Sequence, residues 1–395
     1  MESPLVITGS GPCHEGFLVI DSLFLEHSSG GARIGPDMML DEVRDLAREM
    51  TLKYALSHLH RGGAEAGLRL AADLDPTRRR DALLGFGRQI GPVVRCGMYS
   101  SGMDMNCGFE ELHAIYAGAG LPVGRPTDTS FYTALGLADA IRGCAEGLNL
   151  RAPVTLAIEG FGNFAAHPAG VLPADGFRVT AISRVRGAVS HPEGFGFDEL
   201  QRQRAAHLDD LVHHLSGTSL PLEALLAHPV DILVPATRTG SITEEVASRI
   251  RARAIVPAAN APYRPGAIRL LGERGVLCLP GYLCNADGVF GSSLADNRVS
   301  LKAVKEISLT RYRPLIRTLV AMCPPRNPCP VTIVDAIATS EAELRARRAP
   351  QRPLRRRLWD RISRRFPPVF PRRAMLRLAS EAFDAMNRDF RKETA

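Results

Sequence analysis

A glycine-rich turn between a predicted strand and a predicted helix carries the clearest chemical signal in the sequence. In VTLAIEGFGNFAAHPAGVL, Gly160, Gly162 and Ala165 form a GxGxxA pattern directly after an apolar run. Gly160 permits a tight turn, Gly162 lets a pyrophosphate approach the backbone, and Ala165 lets helix and strand pack closely. The helix N-terminus would attract the phosphate charge. We predict a dinucleotide-binding turn here; the alternative is a glycine turn with no ligand.

The end of the next predicted strand, RVTAISR, bears on which dinucleotide is bound. An NAD site usually offers Asp or Glu there to the ribose hydroxyls. This chain instead has Ser183 and Arg184, with Arg186 close behind. A guanidinium suits a 2′-phosphate because it answers the extra charge with paired hydrogen bonds. We predict NADP in preference to NAD; the alternative is an exposed arginine on a surface turn.

The elements that must position these residues alternate between strand and helix. From about Thr127, the helical segment TALGLADAIRGCAEGL precedes VTLAIEG, the glycine turn, the helical segment AAHPAGVL and the strand RVTAISR. The apolar runs DILVPA, AIVPAAN and VLCLPG have the pattern of further strands. Strands separated by helices favour a parallel sheet with both faces covered.

Composition sets the broad class of protein. A length of 395 residues is enough for two domains. No apolar run approaches the roughly 20 residues that span a bilayer, and the N-terminus lacks the basic and apolar regions of a secretory signal, so we predict a cytoplasmic protein. The eight cysteines are scattered without a CxxC pair, which argues against a zinc knuckle or a disulfide framework.

The positive charge is concentrated at the C-terminus. From Leu344 onward the net charge is +11, against +7 for the whole chain. Within this tail, LRRRLWDRISRRF (Leu354 to Phe366) has apolar residues on one side of a helix and arginines on the other. Such a helix can bind an anionic membrane or a phosphate-rich partner. The alternative is a helix packed on protein with a solvated arginine face.

Eight segments in order resemble the glutamate/leucine/phenylalanine/valine dehydrogenase family, from about Phe17 to Phe290. They are GGARI, MTLKYAL, HRGGAEAG, GMDMNCGFEEL, AIEGFGNFAAHPAGVL, DILVPATRTGSITEEVA, AIVPAANAP and LPGYLCNADGV. The resemblance implies an α/β fold with a mixed-sheet substrate domain, a Rossmann-like cofactor domain and a cleft between them. It also implies reversible NAD(P)-dependent deamination of an L-amino acid to a 2-oxo acid by a homo-oligomer.

The resemblance, combined with the predicted elements, gives an expected domain organisation. We expect residues 1–126 to form the substrate-binding and oligomerisation domain and residues 127–310 to form the Rossmann-like NAD(P)-binding domain. Residues 311–395 would form C-terminal helices with an Arg/Pro-rich basic segment, returning to the first domain.

The family's functional residues can be carried over position by position. Lys53 of MTLKYAL matches the lysine that holds the substrate carboxylate, which would be costly to desolvate unpaired. Asp104 of GMDMN matches the aspartate that exchanges a proton with the substrate nitrogen. The remaining expected substrate contacts are Gly30, Gly31 and Asn285. The expected cofactor contacts are Thr133, Gly160, Gly162, Asn163, Phe164, Ala165, Ser183, Arg184, Ala236 and Asn260. For each polar residue the alternative is a satisfied loop or capping group.

Two departures from the family pattern alter the expected reaction. Glu65 of HRGGAEAG stands where the family has the lysine that polarises the carbonyl and helps to activate water. A carboxylate cannot stabilise a developing oxyanion, but it can hold a substrate cation, act as a base, or pair with Lys53. Ser29 stands where glutamate-specific relatives have a lysine, and Gly240 and Asp287 also depart from the pattern.

The sequence therefore predicts an NAD(P)-dependent oxidoreductase with Lys53, Glu65 and Asp104 as its catalytic group. It would act on the amino or imino group of a small amino acid, or of a related amine or imine, other than glutamate. The alternative is a catalytically impaired member of the family with a regulatory or scaffolding role.

Overall fold

The computed structural model describes residues 4–122, 124, 129–162, 172–296, 298–323, 330–348 and 372–393. They fall into two compact units, the first within Met1–Thr127 and Ala338–Val369, the second within Asp128–Ile337 and Phe370–Ala395. Each unit has one sheet, so the predicted two-domain α/β fold is confirmed. Among the described residues, no helix is long and apolar enough to cross a membrane. The predicted basic helix Leu354 to Phe366 lies outside the described residues.

The first unit is a five-stranded mixed sheet with helices on both faces. Its elements are β1 Leu5–Gly11, β2 His14–Ile20, β3 Ser28–Gly35, α1 Leu40–Leu56, β4 Gly62–Arg69, α2 Pro76–Arg95, β5 Tyr99–Met103 and α3 Phe109–Gly118. The strand order is β1-β2-β4-β3-β5. The β1–β2 and β2–β4 pairs are antiparallel, whereas β3 runs parallel to both β4 and β5.

Alternation along the strands divides the core of this unit between the two faces of the sheet. Leu18 and Ile20 of β2 point to one face, where they pack in a cluster with buried residues of α2 and α3. Phe17 and Val19 point to the other face and pack with buried residues of α1. In β3 and β4, a residue that lies between two members of the first cluster along the strand must therefore point to the face covered by α1.

Helix α1 approaches the sheet closely because β4 lacks side chains at two positions. A Cβ atom at Gly63 would lie 2.1 Å from the backbone nitrogen of Thr51, and one at Gly67 would lie 2.4 Å from Cγ2 of Val43. Both contacts are far inside van der Waals distance, and the first involves the backbone of α1. The two glycines therefore set the distance between α1 and β4.

The second unit is a seven-stranded sheet, mostly parallel. The elements up to β9 are α4 Thr129–Gly147, β6 Val154–Glu159, β7 Phe177–Arg184, β8 Gly187–Ser190, α5 Phe197–His207 and β9 Thr218–Leu220. They are followed by β10 Ile232–Pro235, α6 Glu244–Arg249, β11 Ala254–Ile255, α7 Pro265–Glu273, β12 Leu277–Cys278, α8 Gly281–Cys284, α9 Asp287–Asp296, α10 Leu301–Ile307, α11 Arg313–Met322, α12 Pro330–Arg348 and α13 Arg372–Glu393. The part of α12 from Ala338 onward belongs to the first unit.

The strand order of this sheet is β12-β11-β10-β6-β7-β8-β9. Strands β12 to β7 in that order are parallel, and β8 and β9 add an antiparallel edge. Because β6 and β10 are parallel neighbours, the loops that follow them leave the same edge of the sheet. The end of a parallel strand is where α/β folds of this kind bind ligands.

The close approach of α1 to β4 at Gly63 can be tested by adding a methyl group at this position. We expect Gly63→Ala to destabilise the protein by about 1–3 kcal/mol or more, because α1 must move away from β4 to admit a methyl group. Urea unfolding measures the loss. Gly272→Ala in α7 is the control: its Cβ would meet no atom within 4 Å, so a change between zero and about 1 kcal/mol of stabilisation is expected. Equal effects of the two substitutions would contradict the packing described.

Candidate functional site

The chemistry-bearing residues of the first unit meet on the face of the sheet covered by α1. Glu65 lies between Ala64 and Ala66 of β4, and Arg33 lies between Ala32 and Ile34 of β3; all four flanking residues belong to the opposite core cluster. Strand alternation therefore turns the charged side chains towards α1. We call the residues Arg33, Glu42, Lys53, Glu65 and Asp104 the charge cluster.

Glu65 is the most deeply buried carboxyl group of the cluster, with 2% of its surface exposed. Its Oε2 accepts a hydrogen bond of 2.8 Å from the backbone N–H of Gly31 on β3. Its Oε1 is buried without a hydrogen-bond partner. Burial, and next the negative charge of Asp104, raise the pKa of Glu65 to about 8. Glu65 is therefore largely protonated at neutral pH and can exchange a proton in the physiological range.

Arg33 connects two carboxylates and was not among the predicted site residues. Its Nε and Nη2 atoms each lie 3.0 Å from Oδ2 of Asp104, and its Nη1 lies 3.1 Å from Oε1 of Glu42. Burial lowers the pKa of Arg33, but Asp104, Glu65 and Glu42 more than offset that effect and raise it. The guanidinium stays charged and holds the Asp104 carboxylate in place. The sequence signal that could have found it is an arginine flanked by apolar residues in a buried strand.

Lys53, in the last turn of α1, is 5% exposed. Burial lowers the pKa of its ammonium group, and the negative charges of Glu49, Asp104 and Glu65 oppose that shift. The chain contains only four lysines, and the other three are Lys302, Lys305 and Lys392. Lys53 is thus the one lysine of the first 301 residues. A buried amine near carboxylates can hold an anionic substrate group or release a proton.

The charge cluster contains more carboxyl groups than cations. Glu42, Glu65 and Asp104 face Arg33 and Lys53, and Glu49 adds a further negative charge near Lys53. A cationic group in their midst favours the ionised form of Glu65, which is otherwise protonated, so the cluster gains a negative charge when a cation binds. The arrangement can therefore accept the ammonium or iminium group of a substrate and exchange its proton. Of the predicted substrate contacts, Gly31 bonds directly to Glu65, and Gly30 precedes it on β3.

Removing Arg33 should cost stability because two carboxylates would lose their buried partner. We expect Arg33→Leu to lower the free energy of unfolding by about 3–5 kcal/mol, measured by urea unfolding at pH 7. Arg44→Leu is the matched control, since Arg44 pairs with Asp41 at the surface with 47% of its side chain exposed; a loss of about 0–1 kcal/mol is expected there. A small loss at Arg33 would show that the carboxylates are not held by it.

The pKa of Glu65 predicts a pH-dependent stability. Folding raises this pKa from 4.5 to about 8, so the folded protein binds a proton that the unfolded chain releases. Stability from this group is complete below pH 4.5 and is lost as the pH rises to about 8, by at most about 1.4 kcal/mol per pH unit. Glu65→Gln removes the titration, so its stability relative to wild type should increase between pH 5 and pH 8.

The comparison needs thermal or urea unfolding of both proteins at several pH values. Glu110→Gln, at an exposed position on α3, should differ from wild type by the same amount at each pH. A difference between Glu65→Gln and wild type that does not change from pH 5 to pH 8 would rule out the raised pKa.

The glycine turn of the second unit follows β6 as predicted. Gly160 has a φ of +78°, and a Cβ atom there would lie 2.5 Å from Cγ2 of Thr237, so glycine is required. A Cβ atom at Gly162 would meet nothing nearer than Nη1 of Arg184 at 3.6 Å, which leaves room above the turn. The described part of the turn thus fits a dinucleotide phosphate. Asn163, Phe164 and Ala165 lie outside the described residues.

Ser183 and Arg184, at the end of β7, both bond to this turn. The buried Oγ of Ser183 accepts a 3.0 Å hydrogen bond from the N–H of Gly160, so its effect on a ligand acts through the shape of the turn. Nη1 of Arg184 donates to the carbonyl oxygen of Phe161 at 3.1 Å, and Nη2 forms an ion pair with Asp209. Arg184 therefore lies at the turn, as predicted, with a carboxylate partner that the sequence did not reveal.

Asn260 and Asn285, predicted on separate segments, are hydrogen-bonded to each other. Nδ2 of Asn285 donates to Oδ1 of Asn260 at 2.7 Å and to the carbonyl oxygen of Ala258 at 3.1 Å, whereas Oδ1 of Asn285 is buried without a hydrogen-bond partner. That oxygen retains its capacity to accept a hydrogen bond. Ala236 follows β10, and its N–H donates to the carbonyl oxygen of Glu159 at 2.9 Å.

Two carboxyl groups of this unit have a pKa raised by burial. Asp287 is 3% exposed and accepts a 3.1 Å hydrogen bond from Ser308, and burial raises its pKa to about 7. Its side chain packs against α4 at Gly136, so its contacts are within the unit's interior. Glu159, next to the turn, was not predicted; burial raises its pKa to about 7. Thr133 donates to the carbonyl oxygen of Thr129 within α4 at 2.9 Å.

Comparison with known proteins agrees with this arrangement. Residues 124–304 match the family model for Glutamate/Leucine/Phenylalanine/Valine dehydrogenase, and residues 6–117 match the model for the Glu/Leu/Phe/Val dehydrogenase dimerisation domain. A glutamate dehydrogenase of Thermotoga maritima is 32% identical over 299 residues, which are 69% of this chain and 70% of the relative.

Solved structures show the same fold at lower identity. A glutamate dehydrogenase structure superposes with a TM-score of 0.71 and 19% identity, covering 87% of this chain and 84% of the other. The L-tryptophan dehydrogenase of Nostoc punctiforme gives a TM-score of 0.59 and 19% identity, covering 88% of this chain and 97% of the other.

The two sheets, the glycine turn and the matches over both domains define an amino-acid dehydrogenase architecture. This chain belongs to the Glu/Leu/Phe/Val dehydrogenase family, whose members are oxidoreductases that act on amino acids with NAD or NADP. The resemblance inferred from the sequence is thereby confirmed.

Proposed function

We propose that this protein is an NAD(P)-dependent oxidoreductase that acts on the amino or imino group of a small amino acid, or of a related amine or imine, other than glutamate. The observation that carries the proposal is the burial of Glu65 in the charge cluster with Lys53, Asp104 and Arg33. A carboxyl group at this position favours a cationic nitrogen. Ser29, a neutral and buried residue, cannot neutralise the second carboxylate of glutamate.

Different residues of the charge cluster bind the substrate and accept its proton. The Lys53 ammonium holds the substrate carboxylate where the substrate has one. Asp104, fixed by Arg33, accepts the proton that a substrate R₂CH–NH₃⁺ must lose before oxidation. A nicotinamide dinucleotide held at the glycine turn would accept the hydride that the carbon of the neutral amine loses, which would leave R₂C=NH₂⁺. Glu65 releases its proton to water when the cationic substrate enters, because a neighbouring positive charge favours the carboxylate, and the carboxylate then stabilises this cation.

The same charge disfavours the later addition of water. Water attack on an iminium carbon, and the carbonyl chemistry that follows, place negative charge on oxygen, which needs a cation or hydrogen-bond donors. Ionised Glu65 supplies neither. The cluster therefore suits a reaction that interconverts amine and imine better than one that ends at a free 2-oxo acid.

The family membership and the glycine turn support a nicotinamide dinucleotide as the cofactor and a homo-oligomer as the assembly. Gly160 and Gly162 support binding of a nicotinamide dinucleotide, and the sequence favours NADP over NAD through Ser183 and Arg184. Since Arg184 is paired with Asp209, the preference depends on this ion pair. The match to a dimerisation domain supports a homo-oligomer. The cytoplasmic location and the anionic partner of the basic tail stay predictions.

A catalytically impaired protein is the second candidate, and one contact favours it. Oε2 of Glu65 is bonded to the backbone of Gly31, so this carboxyl group also joins β3 to β4. In that case Glu65 would stabilise the unit without touching a substrate. The protein would then keep its dinucleotide site for a regulatory or scaffolding role.

An activity panel separates the two candidates. Wild type, Glu65→Gln, Glu65→Lys and Asp104→Asn are assayed by NAD(P)H absorbance with amino acids, 2-oxo acids plus ammonia, and preformed imines. We expect wild-type activity with an amine or imine, and a loss of about 100-fold to 10,000-fold in Glu65→Gln and Asp104→Asn, as for removal of a positioned acid or base. Glu110→Gln should retain full activity.

Two results would contradict the proposal. Full wild-type turnover of ordinary amino acids, unchanged by Glu65→Gln, would show that Glu65 has no role in the reaction. Dinucleotide binding without turnover of any class of substrate, combined with weak deamination gained in Glu65→Lys, would favour the impaired protein instead.

A further inference from the structure

We propose that Asp209 decides between NAD and NADP in this chain and favours NAD. Asp209 belongs to a 3₁₀ segment, Leu208–His213, which follows α5. It therefore comes from a different element than the end of β7, where the acidic residue of an NAD site is usually found. This inference rests on the proposed binding of a nicotinamide dinucleotide at the glycine turn.

The first support is the position of the Arg184–Asp209 ion pair. The guanidinium of Arg184 donates to the carbonyl oxygen of Phe161 in the turn at 3.1 Å. Its Nη1 is also the atom nearest to the space above Gly162, 3.6 Å from a Cβ placed there. The pair thus borders the described part of the dinucleotide turn, with Nη1 of Arg184 bonded to Phe161 and Nη2 paired with Asp209.

The second support is the relative exposure of the two partners. The Asp209 side chain is 49% exposed, whereas that of Arg184 is 21% exposed. A ligand arriving from solvent therefore meets the carboxylate more readily than the guanidinium. A ribose diol can donate hydrogen bonds to a carboxylate, whereas a 2′-phosphate of about −1.5 to −2 charge is repelled by it.

The third support is that the neighbouring arginine is held in the same way. Nη1 of Arg186 lies 3.1 Å from Oδ1 and 3.2 Å from Oδ2 of Asp210. Consecutive carboxylates of one segment thus pair with both arginines that the sequence offers to a phosphate. Leu208, directly before them, has a φ of +47°, a conformation that is costly for a non-glycine residue. The strained backbone marks the point where the chain turns these carboxylates towards β7.

This proposal opposes the NADP preference predicted from the sequence. For NADP to bind through Arg184, the guanidinium would have to leave Asp209, and the freed carboxylate would remain beside the phosphate. Neutralising Asp209 should release Arg184 for the phosphate. Asp209→Asn does so without changing the size of the side chain.

The test is a calorimetric titration of the full-length protein with NADH and with NADPH, without substrate. We expect wild type to bind NADH more tightly, and Asp209→Asn to shift the ratio of the two dissociation constants towards NADPH by at least about tenfold, or about 1.4 kcal/mol. Asp210→Asn is the matched control: its partner Arg186 is 64% exposed, and an exposed ion pair contributes little, so the ratio should shift less than about threefold. In Asp209→Asn combined with Arg184→Gln, the gain for NADPH should disappear.

The failures of the two proposals are distinguishable. Binding of both dinucleotides with a ratio that Asp209→Asn leaves unchanged would overturn the role of Asp209 alone, as would wild-type preference for NADPH. Binding of neither dinucleotide by folded wild type, checked by its thermal unfolding, would overturn the proposed cofactor and this inference with it.

Discussion

The close approach of α1 to β4 is the constraint on which the first unit depends. Gly63 and Gly67 bring the backbone of α1 towards the sheet, and Glu65 lies between them on the same face. A side chain there lies beneath the helix, and Glu65 is 2% exposed, so a charge at position 65 is buried. Its pKa, its partners and its chemistry all follow from this burial rather than from its residue type alone.

Burying several charges together is costly unless they compensate one another. Arg33 offsets Asp104 and Glu42 through three short contacts, and the carboxyl group of Glu65 can take a proton to reduce the remaining negative charge. A family member with lysine at this position would have the opposite balance. With a carboxyl group, this position is neutral or negative, whereas with a lysine it would be neutral or positive.

Much of this could be predicted from the sequence, because glycine turns, strand alternation and ordered motifs are local signals. The fold, the turn at Gly160 and the alignment of Lys53 and Asp104 with the family's motifs could be inferred from such local signals. The partners of buried charges are not local. Arg33 reaches Asp104 across 71 residues and Arg184 reaches Asp209 across 25, and no spacing rule reveals such contacts. Ser183 illustrates the same limit, since its hydroxyl accepts a hydrogen bond from Gly160 in the turn after the neighbouring strand.

The scarcity of lysine gives the protein a built-in spectroscopic label. Reductive methylation with ¹³C-formaldehyde adds methyl groups to lysine amines, and with four lysines in the chain the resulting NMR spectrum would be sparse. Lys53 is the one lysine of the first unit, and because its amine is buried it should be methylated more slowly than the exposed Lys302 and Lys305. The rate at which its methyl resonance appears therefore reports access to the charge cluster, in the wild-type sequence and without an engineered probe.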